Sequence, residues 1–273
     1  MRTSRAERAF CYGTGYAFIA FLLAPIVWMV STSFKDQLTI FQKPPVFVGS
    51  FSFANYHQVL SDAAFLRSIG NSIVVAVGTV LATMLLAVPA SFGLSRVGAR
   101  LKTGLLFWIL LIRAAPGMIY VIPYFLIYQA VGLIDTRLGL VVINSVFTVP
   151  LAIWVLVAFF DAIPAEIMEA ARIDGATRLQ TMLRVAIPLV APGVASAAIL
   201  VFIFSWNEFL FALTLTRFEA KTAAISILNY VAFEGTQWGK LAAAGVLILA
   251  PVLVFAILIR KYLVQTTAGA VKG

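Results

Sequence analysis

The sequence has little of what metal or redox chemistry requires. It contains one cysteine, Cys11, and one histidine, His57, among 273 residues. A single cysteine cannot form a disulfide within the chain, and a metal site built from His and Cys needs several such ligands. We therefore expect both residues to be structural, and we expect neither a metal site nor the clustered nucleophile and base of a membrane-embedded enzyme.

Charge is scarce as well. Charged residues make up 11% of the chain, hydrophobic residues 62%, and the mean hydropathy is +1.00. Soluble domains have about 25% charged and about 45–50% apolar residues. The composition indicates an integral membrane protein, and we expect residues 1–273 to form a single transmembrane domain with no separate soluble domain.

Six apolar segments are long enough to cross a bilayer. A helix needs about 20 apolar residues to cross the hydrocarbon core, and in lipid the backbone must satisfy its own hydrogen bonds. The sequence therefore predicts an all-α polytopic membrane protein with six transmembrane helices. The predicted spans are approximately residues 10–34, 69–93, 104–130, 138–160, 188–214 and 241–263.

The distribution of Lys and Arg predicts the orientation of these spans. Six spans place both termini on one side, which carries twelve of the 20 Lys and Arg residues, against seven on the other side and Arg113 within a span. Cytoplasmic loops carry an excess of Lys and Arg. We therefore expect both termini, the loop 161–187 and the tail 264–273 to lie in the cytoplasm, with the spans in the cell inner membrane.

The loop 161–187 has the pattern of two short helices joined by a glycine. Pro164 suits the first turn of a helix, and Gly175 can take the left-handed conformation that ends one. Thr177 and Gln180 have the spacing of a capping box for the second helix.

The first of these helices is predicted to have a thin face. Ile167, Ala170, Ala171 and Asp174 share one side at helical spacing. Because two of the four are alanines, another backbone can approach this face closely.

The same loop carries a motif at fixed spacing, namely Glu169-Ala170-Ala171, three further residues, Gly175, nine further residues, and then Val185, Ile187 and Pro188. This motif resembles the EAA loop of ATP-binding-cassette importer permeases, although the family pattern has Ile and Leu where this chain has Val and Ile. In that family the loop docks in a groove of an ATPase subunit and transmits its closure to the membrane helices. The resemblance implies that the ATPase-coupling residues are Glu169, Ala170, Ala171, Asp174, Gly175 and Pro188, with Met168 and Met182 as further docking contacts.

A wider resemblance covers most of the chain and is closest to carbohydrate-importer permeases of the maltose type. It is carried by Asn55-Tyr56, Asn71-Ser72, Trp206-Asn207-Glu208-Phe209 and the C-terminal residues 267–273. The resemblance implies a second, different permease subunit, two ATPase subunits that bind ATP and magnesium, and an extracytoplasmic solute-binding protein. This chain would bind no cofactor. Its tail would contact the ATPases through Ala268, Gly269, Val271 and Lys272.

Polar side chains within the spans are candidates for a solute path, because burying them in lipid is costly unless they face water or a partner. The candidates are Arg113, Tyr128, Trp206, Asn207 and Glu208. For each of them a structural role, such as locking helices together, is the alternative. Arg113 lies beside Pro116, where we expect a break in the helix. Asn144 is expected to form a hydrogen bond between helices.

Two alternatives remain open at the level of the sequence. A secondary transporter or channel without an ATPase would need coupling carboxylates within the spans, where Glu208 is the main acid. The outer loop 35–67 could lie on the membrane surface or contact a partner protein. The function expected from the sequence is a permease subunit for a sugar or related polyol.

Overall fold

The computed structural model of the protein describes residues 5–44, 51–232 and 235–270, without the side chains of residues 5–9, 112, 232, 256 and 258–270. In these ranges the structure is almost entirely helical, with one small hairpin of strands β1 and β2. The bounds are α1 Arg5–Ser33, α2 Gln37–Ile40, α3 Ala54–Ser61, α4 Ala63–Leu94, α5 Ala99–Ala114, α6 Gly117–Ala130, α7 Arg137–Asp161, α8 Ala165–Ile173, α9 Arg178–Thr181, α10 Ile187–Leu189, α11 Ala191–Trp206, α12 Leu210–Leu215, α13 Ala223–Ser226, β1 Val231–Ala232, β2 Gly235–Thr236 and α14 Trp238–Ala270.

Four helices in the described part of the chain are long and apolar enough to cross a membrane: α1, α4, α7 and α14. They correspond to the first, second, fourth and sixth predicted spans. The polytopic all-α class is therefore confirmed, whereas the other two predicted spans are interrupted.

The third predicted span, 104–130, consists of two helices, α5 and α6. Pro116 has no N–H to continue the hydrogen-bond ladder, and the residue before a proline is pushed into an extended conformation. Ala115 has that conformation, with φ −68° and ψ 137°. The break expected beside Arg113 is confirmed.

The fifth predicted span, 188–214, is also interrupted. The segment Arg178–Leu189 meets α11 at an angle of 81°, and α12 begins only after a second break at Asn207. The first break lies at Val190, and Pro192 follows in the first turn of α11, where a proline is tolerated because its missing N–H has no partner within the helix. The predicted start at Pro188 lies within one turn of the start of α11, whereas the gap between Trp206 and Leu210 interrupts the predicted span.

The chain forms two compact units, of which the first combines the described residues up to Leu66 with Ser226–Ala250. Its outer loop is held by Asn55, whose side-chain amide donates to the carbonyl oxygens of Ser33 and Lys35 at 3.0 and 2.9 Å. A Cβ on Gly239 would lie 2.5 Å from that amide nitrogen, so α14 begins directly against Asn55. The loop is thus anchored by polar contacts.

The second unit comprises Arg67–Ile225 and the described residues from Pro251 onward. Its apolar core is formed by facing residues of α4, α7 and α11, including Ala87, Leu156, Phe160 and Val201. Polar pairs cross the same helices: the hydroxyl groups of Thr83 and Thr148 are 2.7 Å apart. Small and hydroxylated side chains allow close helix packing in membranes.

Candidate coupling surface and solute path

Helix α8 is a short amphipathic helix with favourable charges at both ends. Pro164 occupies its N-cap, Glu166 lies in the first turn and Arg172 in the last. Acidic residues near the positive N-terminus and basic residues near the C-terminus stabilise a helix through its dipole. These local features favour a helix at this position.

Burial divides α8 into two sides. Met168 and Ala171 are 5% and 7% exposed, and Met168 belongs to the apolar core of its unit. On the opposite side, Glu169 and Ala170 are exposed, and Ile173 is 85% exposed. We call Glu169, Ala170, Ile173 and Asp174 the exposed face of α8.

This division corrects two expectations. Met168 is not available as a docking contact, because its side chain packs into the core and supports the exposed face from behind. Ala171 lies beside it, so the face is rotated by about one position from the set predicted by spacing. Ile173 was missed, although it lies three residues after Ala170 and four after Glu169, which places the three on one side of a helix.

Gly175 ends α8 in a Schellman motif. Its φ is +79°, and its N–H donates to the carbonyl of Arg172 at 3.0 Å while the N–H of Ala176 donates to that of Ala171 at 3.0 Å. This pair of bonds satisfies carbonyls that the helix end would otherwise leave free. The predicted glycine stop is confirmed.

The second helix of the loop begins with the predicted capping box. The Gln180 N–H donates to Thr177 Oγ1 at 3.3 Å, and the Thr177 N–H donates to Gln180 Oε1 at 2.9 Å. Helix α9 continues into a π-helical turn, Met182–Ala186, and then into α10, which contains Pro188. Residues 165–189 thus form a continuous helix, turn and helix whose ends are fixed by local hydrogen bonds.

A small cavity of about 90 Å³ lies within the second unit, between α7, α11 and the end of α5. Its polar lining comes from Arg113, Asn144, Thr148, Ser205 and Glu208. The amide of Asn144 donates to Ser205 Oγ at 2.9 Å, so the predicted bond between helices is confirmed. The carbonyl oxygen of Asn144 has no hydrogen-bond partner among the described residues, although the side chain is 4% exposed.

Of the five predicted path residues, the structure brings Arg113 and Glu208 to this cavity. The guanidinium group of Arg113 lies 4.6 Å from the ring centre of Phe204, an arrangement that favours a cation. The carboxylate of Glu208 accepts the N–H groups of Phe211 and Ala212 at 2.7 and 2.9 Å and thereby caps α12. A carboxylate engaged in this way is poorly placed for ion coupling, which disfavours the secondary-transporter alternative.

The other three predicted path residues have structural contacts. Trp206 is 1% exposed and stacks on Phe202 at 5.6 Å. Tyr128 is buried and donates its hydroxyl to the carbonyl of Gly139 at 2.9 Å. Asn207 donates its amide to the carbonyl of Ile203 at 2.8 Å, at the end of α11. None of these three lines the cavity beside Arg113, and their place on a solute path stays a prediction.

At one end of the second unit, a carboxylate fixes a loop that is distant in sequence. Asp135, with φ +56°, accepts the backbone N–H groups of four consecutive residues, Arg217 to Ala220, at 3.0–3.1 Å. Burial raises the pKa of Asp135, but the four donors outweigh that effect and lower the pKa to about 2. Asn71 adds two bonds from its amide to the carbonyls of Glu219 and Lys221 at 2.7 and 2.9 Å.

The residues of the predicted tail contact lie at the C-terminal end of the described residues and beyond it. Helix α14 continues to Ala270, so Ala268 and Gly269 are helical, beyond the predicted end of the span at residue 263. Val271 and Lys272 lie outside the described residues.

Comparison with known proteins gives consistent results over most of the chain. Residues 80–268 match the family described as "Binding-protein-dependent transport system inner membrane component". The chain is 36% identical over 260 residues to the trehalose transport system permease protein SugB of Mycobacterium tuberculosis, covering 93% of this chain and 94% of that protein. It is 34% identical to the trehalose/maltose transport system permease protein MalG of Thermococcus litoralis, covering 92% of each.

A solved structure is similar as well. A chain from the crystal structure of a bacterial ABC transporter involved in the import of the acidic polysaccharide alginate superposes with a TM-score of 0.79 at 27% identity. The match covers 96% of this chain and 99% of that chain.

Proposed function

The chain belongs to the family of binding-protein-dependent transport system inner membrane components, and on that basis we propose that it carries a sugar or related polyol. In this proposal it forms the membrane path of an ATP-driven importer together with a second, different permease subunit. A solute-binding protein delivers the solute from outside the cell membrane. Two ATPase subunits, which bind ATP and magnesium, supply the energy.

The observation that supports ATPase coupling most directly is the exposed face of α8. Ile173 is 85% exposed beside the small side chain of Ala170, so this face offers a large apolar side chain to a partner. The Schellman motif at Gly175 and the capping box at Thr177 hold this face in a fixed shape. A rigid, thin and partly apolar surface is what docking into a groove requires.

The charge distribution supports the orientation of this surface. Arg172, Arg178 and Arg184 lie in the loop 161–187, and Lys and Arg are enriched on the cytoplasmic side of membrane proteins. The loop and both termini are therefore placed in the cytoplasm in this proposal. The tail 264–273 then reaches the same side as the ATPases and contacts them through Ala268, Gly269, Val271 and Lys272.

The sugar assignment is supported by the named relatives, which transport trehalose or maltose, and by the polar cavity beside Arg113. Sugars are recognised by hydrogen bonds from a few well-placed polar groups. The unpartnered side-chain carbonyl oxygen of Asn144 is such a group. A cavity of about 90 Å³ is smaller than a sugar, so we assign it to a closed state of the path.

The proposal is tested with the complete transporter reconstituted in vesicles with its binding protein. We compare Ala170→Leu, which thickens the exposed face, with Ala165→Leu, an exposed alanine in the first turn of the same helix, five residues before Ala170. Ala170→Leu should lose uptake of labelled trehalose or maltose and ATPase stimulation, while Ala165→Leu keeps both. Normal ATP-driven uptake in the assembled Ala170→Leu transporter would contradict ATPase coupling through α8, and uptake of only non-carbohydrate solutes by the parent would contradict the sugar assignment.

A further inference from the structure

An open basin of about 500 Å³ lies between the end of α4, the turn that follows it, and the helices α8 and α9. This volume is within the range of about 300–1,000 Å³ typical of ligand pockets. We call it the arginine basin, because Arg96, Arg172 and Arg178 line it. Three cations from three separate segments converge on one concave surface.

Among the described residues, none of the three basin arginines forms an ion pair. The two ion pairs found there join Arg67 to Glu219 and Lys102 to Asp161. Asp161, the acid that acts on Arg96, is thus engaged by Lys102 at 2.8 Å. Burial and the charge of Arg172 both lower the pKa of Arg96, with Asp161 opposing them. A bound anion would therefore stabilise the positive charges of the three basin arginines.

The rest of the basin is apolar. Phe92, Leu179 and Met182 are among its lining residues, and the guanidinium group of Arg96 lies 5.5 Å from the centre of the Phe92 ring. A small hydrated anion gains nothing from such walls. An amphiphile, with an anionic group for the arginines and a hydrocarbon part for the walls, uses both.

An apolar track leads from the basin along α4. Leu81 and Leu85 are 67% and 76% exposed, and helical spacing places them on the same side as Pro89 and Phe92, which line the basin. Helix α4 is apolar enough to span the membrane. The track therefore runs from the basin at the membrane surface toward the bilayer interior, which is the path an acyl chain takes.

From these observations we propose that the arginine basin binds an anionic phospholipid of the cytoplasmic leaflet. The phosphate lies among Arg96, Arg172 and Arg178, whose planar guanidinium groups bind phosphate in two-pronged fashion. An acyl chain lies along Phe92, Leu85 and Leu81. Basic pockets beside transmembrane helices on the cytoplasmic side suit anionic head groups. The proposal goes beyond transport itself and rests on the cytoplasmic orientation proposed above.

The location gives the lipid a defined position in the transporter. Arg172 and Arg178 flank the Gly175 turn of the coupling loop, and Arg96 follows α4. A phosphate held by all three links the loop to the membrane helix through a bridge that is not covalent. The lipid then fixes the distance between the loop and α4.

The experiment uses the purified transporter complex in nanodiscs that contain phosphatidylcholine with a minor fraction of phosphatidylglycerol. Native mass spectrometry after detergent exchange measures how much phosphatidylglycerol stays bound. We compare the parent with the triple variant Arg96→Gln, Arg172→Gln, Arg178→Gln. The matched control is Arg100→Gln with Arg184→Gln, two nearby arginines that do not line the basin.

The triple variant should retain at most about one tenth of the phosphatidylglycerol that the parent retains, while the control retains the parental amount. Met182→Glu provides a second variant, because a carboxylate within the basin competes for the same arginines and should also reduce retention. Unchanged retention in the assembled triple variant, or in Met182→Glu, overturns the proposal. Displacement of the lipid by excess inorganic phosphate would instead assign the basin to a soluble anion and overturn the lipid. Lipid retention is measured without ATP hydrolysis or solute. A negative result would therefore contradict the lipid proposal without contradicting the proposed transport function.

Discussion

Gly193 in α11 packs directly against the ring of Phe159 in α7. A Cβ on Gly193 would lie 2.4 Å from the ring carbon Cγ, closer than any real contact of this type. The ring cannot withdraw easily, since Cγ is the atom nearest its own backbone. This contact sets the distance between two helices that form the core of the second unit.

Replacing Gly193 by alanine should therefore destabilise the protein by about 1–3 kcal/mol, the usual cost of overpacking. Thermal unfolding of the detergent-purified chain, followed by loss of soluble oligomer, measures the effect. Gly70→Ala is the control, because a Cβ on Gly70 meets nothing within 4 Å. An unchanged midpoint for Gly193→Ala would show that α7 and α11 separate without cost.

The turn at Gly175 gives a second prediction. A residue with a side chain is disfavoured at φ +79°, and proline is excluded because its ring fixes φ near about −65°. Gly175→Pro should break the Schellman motif and uncouple ATP hydrolysis from uptake while leaving membrane insertion intact. Gly98→Pro, at the φ of −59° found before α5, is the control with a compatible backbone. Coupled uptake by Gly175→Pro would contradict the role of the turn.

The four hydrogen bonds that Asp135 accepts from Arg217 to Ala220, which we call the Asp135 clamp, predict a pH dependence of stability. Because its folded pKa is about 2 and its unfolded pKa about 3.9, the stability it contributes is fully present above about pH 4. It is lost as the pH falls through that window toward 2, since protonation removes the acceptor for four N–H groups. Asp135→Asn should lower the unfolding midpoint at pH 7 and flatten its dependence on pH between these values.

Glu219→Gln serves as the comparison for Asp135. Glu219 lies in the same loop, but its ion pair with Arg67 joins side chains that are 57% and 73% exposed, and exposed pairs contribute little. The unfolding midpoint of Glu219→Gln should match that of the parent at pH 7. If Asp135→Asn and Glu219→Gln lower the midpoint equally, the Asp135 clamp contributes no more stability than a surface ion pair.

Variants of Asn144 test whether this residue contacts the solute or only joins two helices. Asn144→Leu removes the bond to Ser205 and the unpartnered carbonyl from the cavity. Thr83→Val removes the 2.7 Å bond to Thr148 between α4 and α7 but leaves the cavity lining unchanged. A bond of this kind contributes about 0.6 kcal/mol in membranes, so both variants should be slightly destabilised.

Uptake should separate the two variants. Asn144→Leu should raise the KM for the solute several-fold in vesicles, whereas Thr83→Val should leave KM near that of the parent. Equal KM values would assign Asn144 to helix packing alone.

The sequence predicted features that depend on local chemistry. The Gly175 stop, the capping box at Thr177 and the break at Pro116 each follow from the conformational limits of one or two residues. The direction of the exposed face of α8 was predicted one position off, because burial depends on what packs against Met168. The clamp between Asp135 and Arg217 joins residues 82 positions apart, and no local pattern indicates which loop a carboxylate will bind.

The angle of 81° between Arg178–Leu189 and α11 has a mechanical consequence. A force along the axis of Arg178–Leu189 would act nearly perpendicular to the axis of α11 and would therefore tilt this helix instead of compressing it. Gly193 lies in the first turn of α11 and is packed tightly against Phe159. If α11 pivots at this contact, its far end, at the cavity beside Arg113, moves farther than the end that is pushed.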